Sequence, residues 1–288
     1  MAKDIAGYYR KVARVNKLKN FGSDLVKVLI MFTFLLPFYW MLKTAVSPYI
    51  ETVQMYPVWI PSRIDMTGFR NLFSEWSMWP YIWRTIFTTG CCMAIQYVTM
   101  IPAAYAFAKM KFKGSGILFT LVMVAFMLPG QVTFISSYIM MSKWGWIPTL
   151  LPQIIPFTTN AHGIFMLRQS FKQVNDELIE SARLDNANEW QIIFKVMMPL
   201  SKHIVITILL NCFISHWNAY FWPLMMCRRE ETMPIALLID RLKQVGDEDL
   251  IHWPTIMAGN FFLMCPILVM FLAASKWIVP SVNYSGVK

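Results

Sequence analysis

Long apolar runs separated by shorter basic stretches constrain this chain more than any other feature of its sequence. An α-helix of about 20 apolar residues crosses the hydrocarbon core of a bilayer, because each residue adds about 1.5 Å. Only 15% of the residues are charged, whereas soluble domains carry about 25%. We therefore predict an all-α polytopic membrane protein with six spans, at residues 25–45, 82–107, 117–140, 150–167, 203–225 and 255–279.

The fourth run is the weakest of the six, because prolines and polar residues interrupt it. Pro152, Pro156, Asn160 and His162 all lie within or beside it. Membrane spans tolerate proline where neighbouring helices satisfy the carbonyl groups that lose their donors. We therefore expect kinked helices that pack on one another.

The distribution of basic residues predicts how the spans are oriented. The formal net charge is +10, and the N-terminal segment up to Lys27 carries seven Lys and Arg residues. The 109–113 loop carries three and the 168–202 loop five, whereas the 46–80 loop has two. Because basic loops stay in the cytoplasm, both termini and the 168–202 loop are predicted to be cytoplasmic. Basic residues that flank apolar runs indicate a lipid bilayer as partner and argue against nucleic acid.

This topology divides the chain into three predicted parts. Residues 1–24 form a basic cytoplasmic segment, residues 25–280 the membrane domain, and residues 281–288 a tail. The first apolar run is longer than the apolar stretch of a cleavable signal peptide, so we expect it to remain as an anchor. Long basic side chains near the span ends, Lys43 and Arg84 among them, are expected to extend to the membrane interface.

The motifs of several enzyme and carrier classes are missing from the sequence. It contains no H-E-x-x-H, no G-x-S-x-G and no G-x-x-x-x-G-K-[ST], and its five cysteines make no metal-ligand spacing. The chain is therefore predicted to have no catalytic residues, no metal site and no cofactor of its own. A secondary transporter, a further alternative, would favour carboxylates deep in the spans or inverted repeats, and we find neither.

The 168–202 loop is the one stretch among the spans with a soluble character. Acidic residues at 176–177 suit the first turn of a helix, and Asn186 suits the left-handed residue that ends one. A second short helix is predicted from about residue 188, and it ends at Pro199. Its apolar residues follow helical spacing, at Trp190, Ile193, Phe194 and Met197. Such a loop either packs on the ends of its own spans or fills a groove on a cytoplasmic partner.

Several of these residues resemble the EAA loop of ABC importer permeases. The matching segments are Glu180-Ser181-Ala182, Asp185-Asn186-Ala187, Phe194 and Met198-Pro199-Leu200. Ser181 replaces the first alanine of that pattern, the middle residue of E-A-A, and Asn186 replaces its glycine. Further similarities follow in order along the chain: Tyr105 to Lys109, Leu128 to Val132, Phe165 to Phe171, His216 to Asn218, Phe221 to Leu224 and the final Gly286-Val287-Lys288. The chain most resembles the carbohydrate-uptake branch, in particular the smaller six-span permease of maltose-type importers.

The resemblance implies a type I permease fold with cytoplasmic coupling helices in the loop at about 172–200. It implies import of a carbohydrate, such as an oligosaccharide, by alternating access across a bacterial inner membrane. Its implied partners are a second permease, two ATPase subunits that carry the ATP and Mg²⁺, and an extracytoplasmic binding protein. A permease of the same family for a non-sugar solute is the alternative.

Two groups of site residues follow from this reading. The coupling group, expected to contact an ATPase, is Glu180, Ser181, Ala182, Arg183, Asp185, Asn186, Ala187, Trp190, Ile193, Phe194 and Pro199. The solute-pathway group is Trp217, Asn218, Tyr220 and Trp222, whose rings and amide suit a sugar. The alternative for the second group is structural, because aromatic residues collect at membrane interfaces and a buried Asn bonds neighbouring helices.

Overall fold

The computed structural model describes residues 2–243 and 251–278, with side chains from residue 22 onward. Every regular element in these residues is helical, which confirms the all-α prediction. The chain divides into two compact units, whose described parts are residues 2–74 with 251–261 and residues 75–243 with 262–278. The predicted tail at 281–288 lies outside the described residues.

The first unit combines N-terminal helices with the start of the last helix. Its elements are α1 (Ala2–Ala45), α2 (Tyr49–Thr52), α3 (Thr67–Ser74) and the first turns of α15 (Trp253–Ile278). A Cβ atom at Gly68 would lie 2.7 Å from the carbonyl oxygen of Pro254, so this close approach requires glycine. Lys43 is only 5% exposed, and its ammonium lies 5.2 Å from the ring centroid of Trp40. Lys43 therefore packs inside the unit and does not extend outward as predicted.

The second unit contains the remaining elements. They are α4 (Trp79–Lys109), α5 (Ser115–Met127), α6 (Gly130–Lys143), α7 (Leu151–Ile154), a 3₁₀ turn (Ile155–Phe157), α8 (Ala161–Gln173), α9 (Asp176–Leu184), α10 (Glu189–Gln191), a π-helical turn (Ile192–Met197), α11 (Met198–Leu200), α12 (Lys202–Trp217), α13 (Phe221–Met226), a 3₁₀ turn (Glu230–Thr232), α14 (Ile235–Arg241) and the rest of α15. Helix α4 packs against α8 and α12. A Cβ atom at Gly163 would lie 2.0 Å from Met100 Sδ, so glycine allows α8 to lie this close to α4.

Three helical segments among the described residues are long and apolar enough to cross a membrane: Gly22–Ala45, Trp79–Lys109 and Trp253–Ile278. Two bent pairs of helices raise the number to five if each pair is one span. The sequence predicted six spans, and its run at 150–167 becomes α7, a 3₁₀ turn and the first half of α8. That run as a sixth span stays a prediction.

The predicted span at 117–140 is broken in the structure. Helices α5 and α6 meet at an angle of 96°. Leu128 between them is extended, with φ −73° and ψ 122°, because proline at the next position disfavours helical backbone in the residue before it. The proline predicted to kink this span therefore divides it.

Candidate functional site

The first helix of the 168–202 loop ends as its sequence predicted. Helix α9 begins after Asn175, whose side chain accepts a hydrogen bond from the Glu177 amide. It ends before Asn186, which has a φ of +57°. The Ala187 amide then donates to the Ala182 carbonyl at 3.0 Å and closes the turn. The left-handed position predicted for Asn186 is confirmed.

The second helix of the loop also starts where it was predicted. Asn188 caps α10, and Gln191 returns the bond in a reciprocal capping box. The next six residues, Ile192–Met197, form a π-helical turn, which is wider than an α-helical turn because its hydrogen bonds join residues i and i+5.

The π-helical turn separates residues that α-helical spacing places on one side. Ile193 and Met197 are buried in the core of the second unit, with exposed fractions of 4% and 0%. Trp190 and Phe194 remain exposed, and their rings stack 6.1 Å apart. The four residues therefore do not form the single stripe that was predicted. Ile193, predicted to touch an ATPase, instead packs inside this chain.

Four large apolar side chains of the loop are exposed to solvent. We call this set the coupling face, and it consists of Leu178, Leu184, Trp190 and Phe194. Leu184 is 84% exposed and Trp190 57%. The other predicted coupling residues divide by burial: Ala182 and Ala187 are half-buried, whereas the exposed ones are Glu180, Ser181, Arg183, Asp185, Asn186 and Pro199.

Other residues of the loop belong to the main core of the second unit. Ile179 of α9 and Ile192 of the π-helical turn pack in one buried cluster with Tyr105 of α4, Phe171 of α8 and Val205 of α12. A displacement of the loop must therefore move these helices or break the packing, because protein interiors are close-packed and stiff.

Polar contacts attach the loop to the end of α4 at two places. The Tyr105 hydroxyl donates to Glu189 Oε2 at 2.5 Å. Lys109 Nζ donates to Asp176 Oδ1 at 2.5 Å and to the Val174 carbonyl at 2.6 Å. The hydrogen bond from Lys109 lowers the pKa of the Asp176 carboxyl below its ordinary value. Both contacts fix the loop to the same helix.

The sequence did not predict the ion pair that Arg183 makes within the loop, nor the bend at Ser201. Arg183 Nη2 lies 3.0 Å from Glu189 Oε1, so it braces the two helices of the loop. The segment Glu189–Leu200 meets Lys202–Trp217 at 90°, and Ser201 lies at the bend. Pro199 therefore leads into an elbow, and the loop is joined to α12 mainly through their shared core.

A cavity of about 750 Å³ lies elsewhere in the second unit. Its walls come from α4, the α5–α6 break, the start of α8, and the segment after α12. This volume falls within the range of about 300–1,000 Å³ typical of small-molecule sites.

Two of the four predicted pathway residues line this cavity. Tyr220 donates its hydroxyl to Asp240 Oδ2 at 2.7 Å, and Trp222 donates its indole N–H to the Pro152 carbonyl at 2.7 Å. Trp217 is buried and donates to the carbonyl of Leu263 at 2.9 Å. Asn218 is exposed beyond the end of α12 and does not line the cavity. The structure thus brings only Tyr220 and Trp222 to this site.

Most polar groups of the cavity were not predicted from the sequence. Gln96 is 4% exposed, and its Nε2 donates to the Phe157 carbonyl at 2.7 Å. The same Nε2 atom lies 3.0 Å from His216 Nε2. The Cys212 thiol donates to Gln96 Oε1 at 2.8 Å. A signal was present in the interrupted run around Asn160, because broken helices in membranes often mark binding sites.

Comparisons with known proteins agree with this architecture. The family described as the binding-protein-dependent transport system inner membrane component matches residues 100–284. A diacetylchitobiose uptake permease of Streptomyces coelicolor is 26% identical over 273 residues, with 92% of this chain and 96% of the relative covered. An arabinooligosaccharide transport permease of Bacillus subtilis is 28% identical over 205 residues, 70% of each chain.

One solved structure has the same fold over nearly the full length of the chain. It is a chain of a bacterial ABC transporter involved in the import of the acidic polysaccharide alginate. The TM-score is 0.82 at 22% identity, and 92% of this chain and 98% of that chain are covered. Since the family match spans more than half of the sequence, the chain belongs to the inner membrane component family of binding-protein-dependent transport systems.

Proposed function

We propose that this chain is a permease subunit of an ATP-driven importer for an oligosaccharide. It works with a second permease, two ATPase subunits and an extracytoplasmic binding protein. Its relatives support the solute class, because their names specify uptake of diacetylchitobiose, arabinooligosaccharides and lactose. ATP and Mg²⁺ bind the ATPase partners in this proposal, and this chain contributes no catalytic group.

The coupling face is the observation that carries the proposal. Apolar side chains as exposed as Leu184 and Trp190 on one short loop suit a groove on another protein. Other residues of the same loop are anchored in the core and to α4. A surface open to a partner and rigidly connected to spans is what a force-transmitting element requires.

The proposed mechanism follows the helices from the loop to the cavity. Helices α4, α8 and α12 share the core beneath the loop. Gln96 on α4, His162 on α8 and His216 on α12 line the cavity. When the ATPases close and move the coupling face, these three helices carry the cavity walls with them. Alternating access then arises from rigid movement of packed helices, which is a common form of switching.

The orientation of the chain is also part of the proposal. The coupling face must lie in the cytoplasm, which agrees with the excess of basic residues at the N-terminus and in the 109–113 loop. Six spans and two cytoplasmic termini satisfy this requirement in a bacterial inner membrane.

A non-sugar solute is the second candidate, because one relative has such a name. It is an sn-glycerol-3-phosphate transport permease of Brucella abortus, 23% identical over 198 residues. The solute of that relative is anionic. A cavity that carries such a solute must compensate its negative charge, which an uncharged sugar does not require.

Charged substitutions in the coupling group test the proposal. Ala182→Arg and Leu184→Arg are expected to abolish co-purification of the ATPases and ATP-driven uptake, while the two permeases remain inserted and paired. Leu184 is exposed, so its substitution leaves the fold intact. Gln173→Arg, exposed at the end of α8, is the matched control and should retain both properties. ATPase binding and uptake that survive both loop variants would refute the docking assignment.

A further inference from the structure

The cavity wall consists of apolar, hydroxyl, amide and imidazole side chains. Among the described residues that line it, none is Asp, Glu, Lys or Arg. The sequence shows the same pattern over a longer range, since Lys143 is the only such residue between Gly114 and Leu167, and residues 203–227 contain none. Lys143 ends α6 and does not line the cavity.

The polar groups of the wall suit hydroxyl groups. Amides contribute both donors and acceptors, and so do neutral imidazoles. The amides belong to Gln96, Gln131 and Asn160, and the imidazoles to His162 and His216. A sugar hydroxyl both donates and accepts, so each of these groups is a suitable partner.

Aromatic rings complete the wall. Trp222 meets Phe157 edge to face at 5.4 Å between ring centroids. Phe126 and His162 stack at 5.4 Å. The apolar faces of a sugar ring pack on such surfaces, and a mixed apolar and hydrogen-bonding wall is typical of small-molecule sites.

The wall offers little compensation for an anion. An ionised group removed from water needs an opposite charge or several hydrogen bonds. The N-termini of α6 and α8, at Gly130 and Ala161, reach the cavity with partial positive charges of about +0.5 each. Asn160 already caps α8. The carboxylate of Asp240 is bonded to the lining hydroxyl of Tyr220 and would repel an anion.

The environment of Asp240 keeps that negative charge in place. The hydrogen bond from the Tyr220 hydroxyl lowers the pKa of the carboxyl. Lys243 Nζ, at 3.1 Å from Asp240 Oδ1, pairs with it from the other side. Lys243 is therefore paired with Asp240, and it does not line the cavity.

We infer that the solute carried by this chain is an uncharged saccharide, and this inference rests on the proposed function. It separates the chain from the alginate importer of the same fold and from the glycerol-3-phosphate relative, whose named solutes are acidic. The lining residues of the cavity suit hydroxyl groups and the faces of sugar rings.

Opposite charges placed at one lining position test the inference in the complete importer. Ser137 of α6 lines the cavity and is half-buried. For an uncharged solute, Ser137→Lys and Ser137→Glu should change the apparent KM for uptake equally, within about threefold of each other. An anionic solute would separate the two variants by more than about tenfold, because a unit charge nearby attracts it in one and repels it in the other. Ser137→Gln is the uncharged control for size.

The solute itself is identified by uptake assays with a panel of candidate solutes. The assays use proteoliposomes that contain both permeases, the ATPase subunits and the binding protein. Diacetylchitobiose, arabinotriose and lactose are the uncharged members, and a guluronate trisaccharide and glycerol 3-phosphate the anionic ones. We expect ATP-driven uptake of an uncharged member and equal behaviour of the two charged variants. Uptake of an anionic member, with Ser137→Lys and Ser137→Glu separated, overturns the inference and leaves an importer. ATP-driven uptake of no panel member refutes the proposed oligosaccharide import itself.

Discussion

Replacement of Ile193 by alanine should destabilise the folded loop. Replacement of Trp190 by alanine should weaken only the binding of the loop to a partner. Ile193 is 4% exposed, and its substitution removes three buried carbon groups at about 0.8 kcal/mol each. With the cavity left behind, the loss is about 3 kcal/mol, as is usual for a buried isoleucine. That energy corresponds to a roughly 150-fold change in an equilibrium constant.

Hydrogen exchange in the complex of the two permeases without ATPases measures this effect. Peptides from residues 189–200 should exchange up to about 150-fold faster in Ile193→Ala. Trp190→Ala should leave exchange within about threefold of the unmodified protein, because its side chain is 57% exposed. It should instead raise the dissociation constant of the ATPase about 30-fold, the effect of a central interface aromatic worth about 2 kcal/mol.

If Ile193→Ala and Trp190→Ala behave alike, the separate roles assigned to these two residues are wrong. Equal acceleration of exchange would mean that Trp190 supports the loop as Ile193 does, contrary to their burial. Unchanged exchange in Ile193→Ala would mean that the core beneath the loop does not hold it. Met198→Ala, at a half-buried position in the same segment, is a control for truncation of a side chain as such.

Three further predictions follow from the loop and the cavity. Asn186→Ala should destabilise the turn by about 1 kcal/mol and Asn186→Gly should not, because φ is +57° there; exchange at the turn measures both. Asp176 has a lowered pKa in the folded protein, so its bond to Lys109 should persist above its ordinary pKa of 3.8 and weaken as the pH falls below it. Asp176→Asn should abolish that pH dependence of loop exchange. Gln96→Leu leaves the Phe157 carbonyl without its donor and should cost about 1–3 kcal/mol, seen as a lower Tm of the complex.

Local backbone signals in the loop were readable from the sequence. Asn186 took the left-handed conformation because it is among the residues that tolerate it, and Asn188 capped the next helix because its side chain accepts a backbone hydrogen bond. These features depend on a few neighbouring residues, so sequence spacing was sufficient to predict them.

Other features depend on contacts between distant segments and could not be predicted in this way. The side on which Ile193 lies is set by a π-helical turn, and α-helical spacing gave the wrong side. Gln96 and His216 are 120 positions apart and meet only when α4 packs on α12. Asn218 has a suitable side chain for a sugar, but it follows the end of α12 and does not line the cavity.

Side-specific labelling of Leu184→Cys tests the central claim most directly, in a protein whose five native cysteines have been replaced. Leu184 is 84% exposed on the coupling face, so a thiol there reacts freely unless a partner covers it. We predict that a membrane-impermeant maleimide labels it only from the cytoplasmic side, and only after the ATPase subunits have been stripped away. Labelling from the extracytoplasmic side, or equal labelling with and without bound ATPase, would contradict the account.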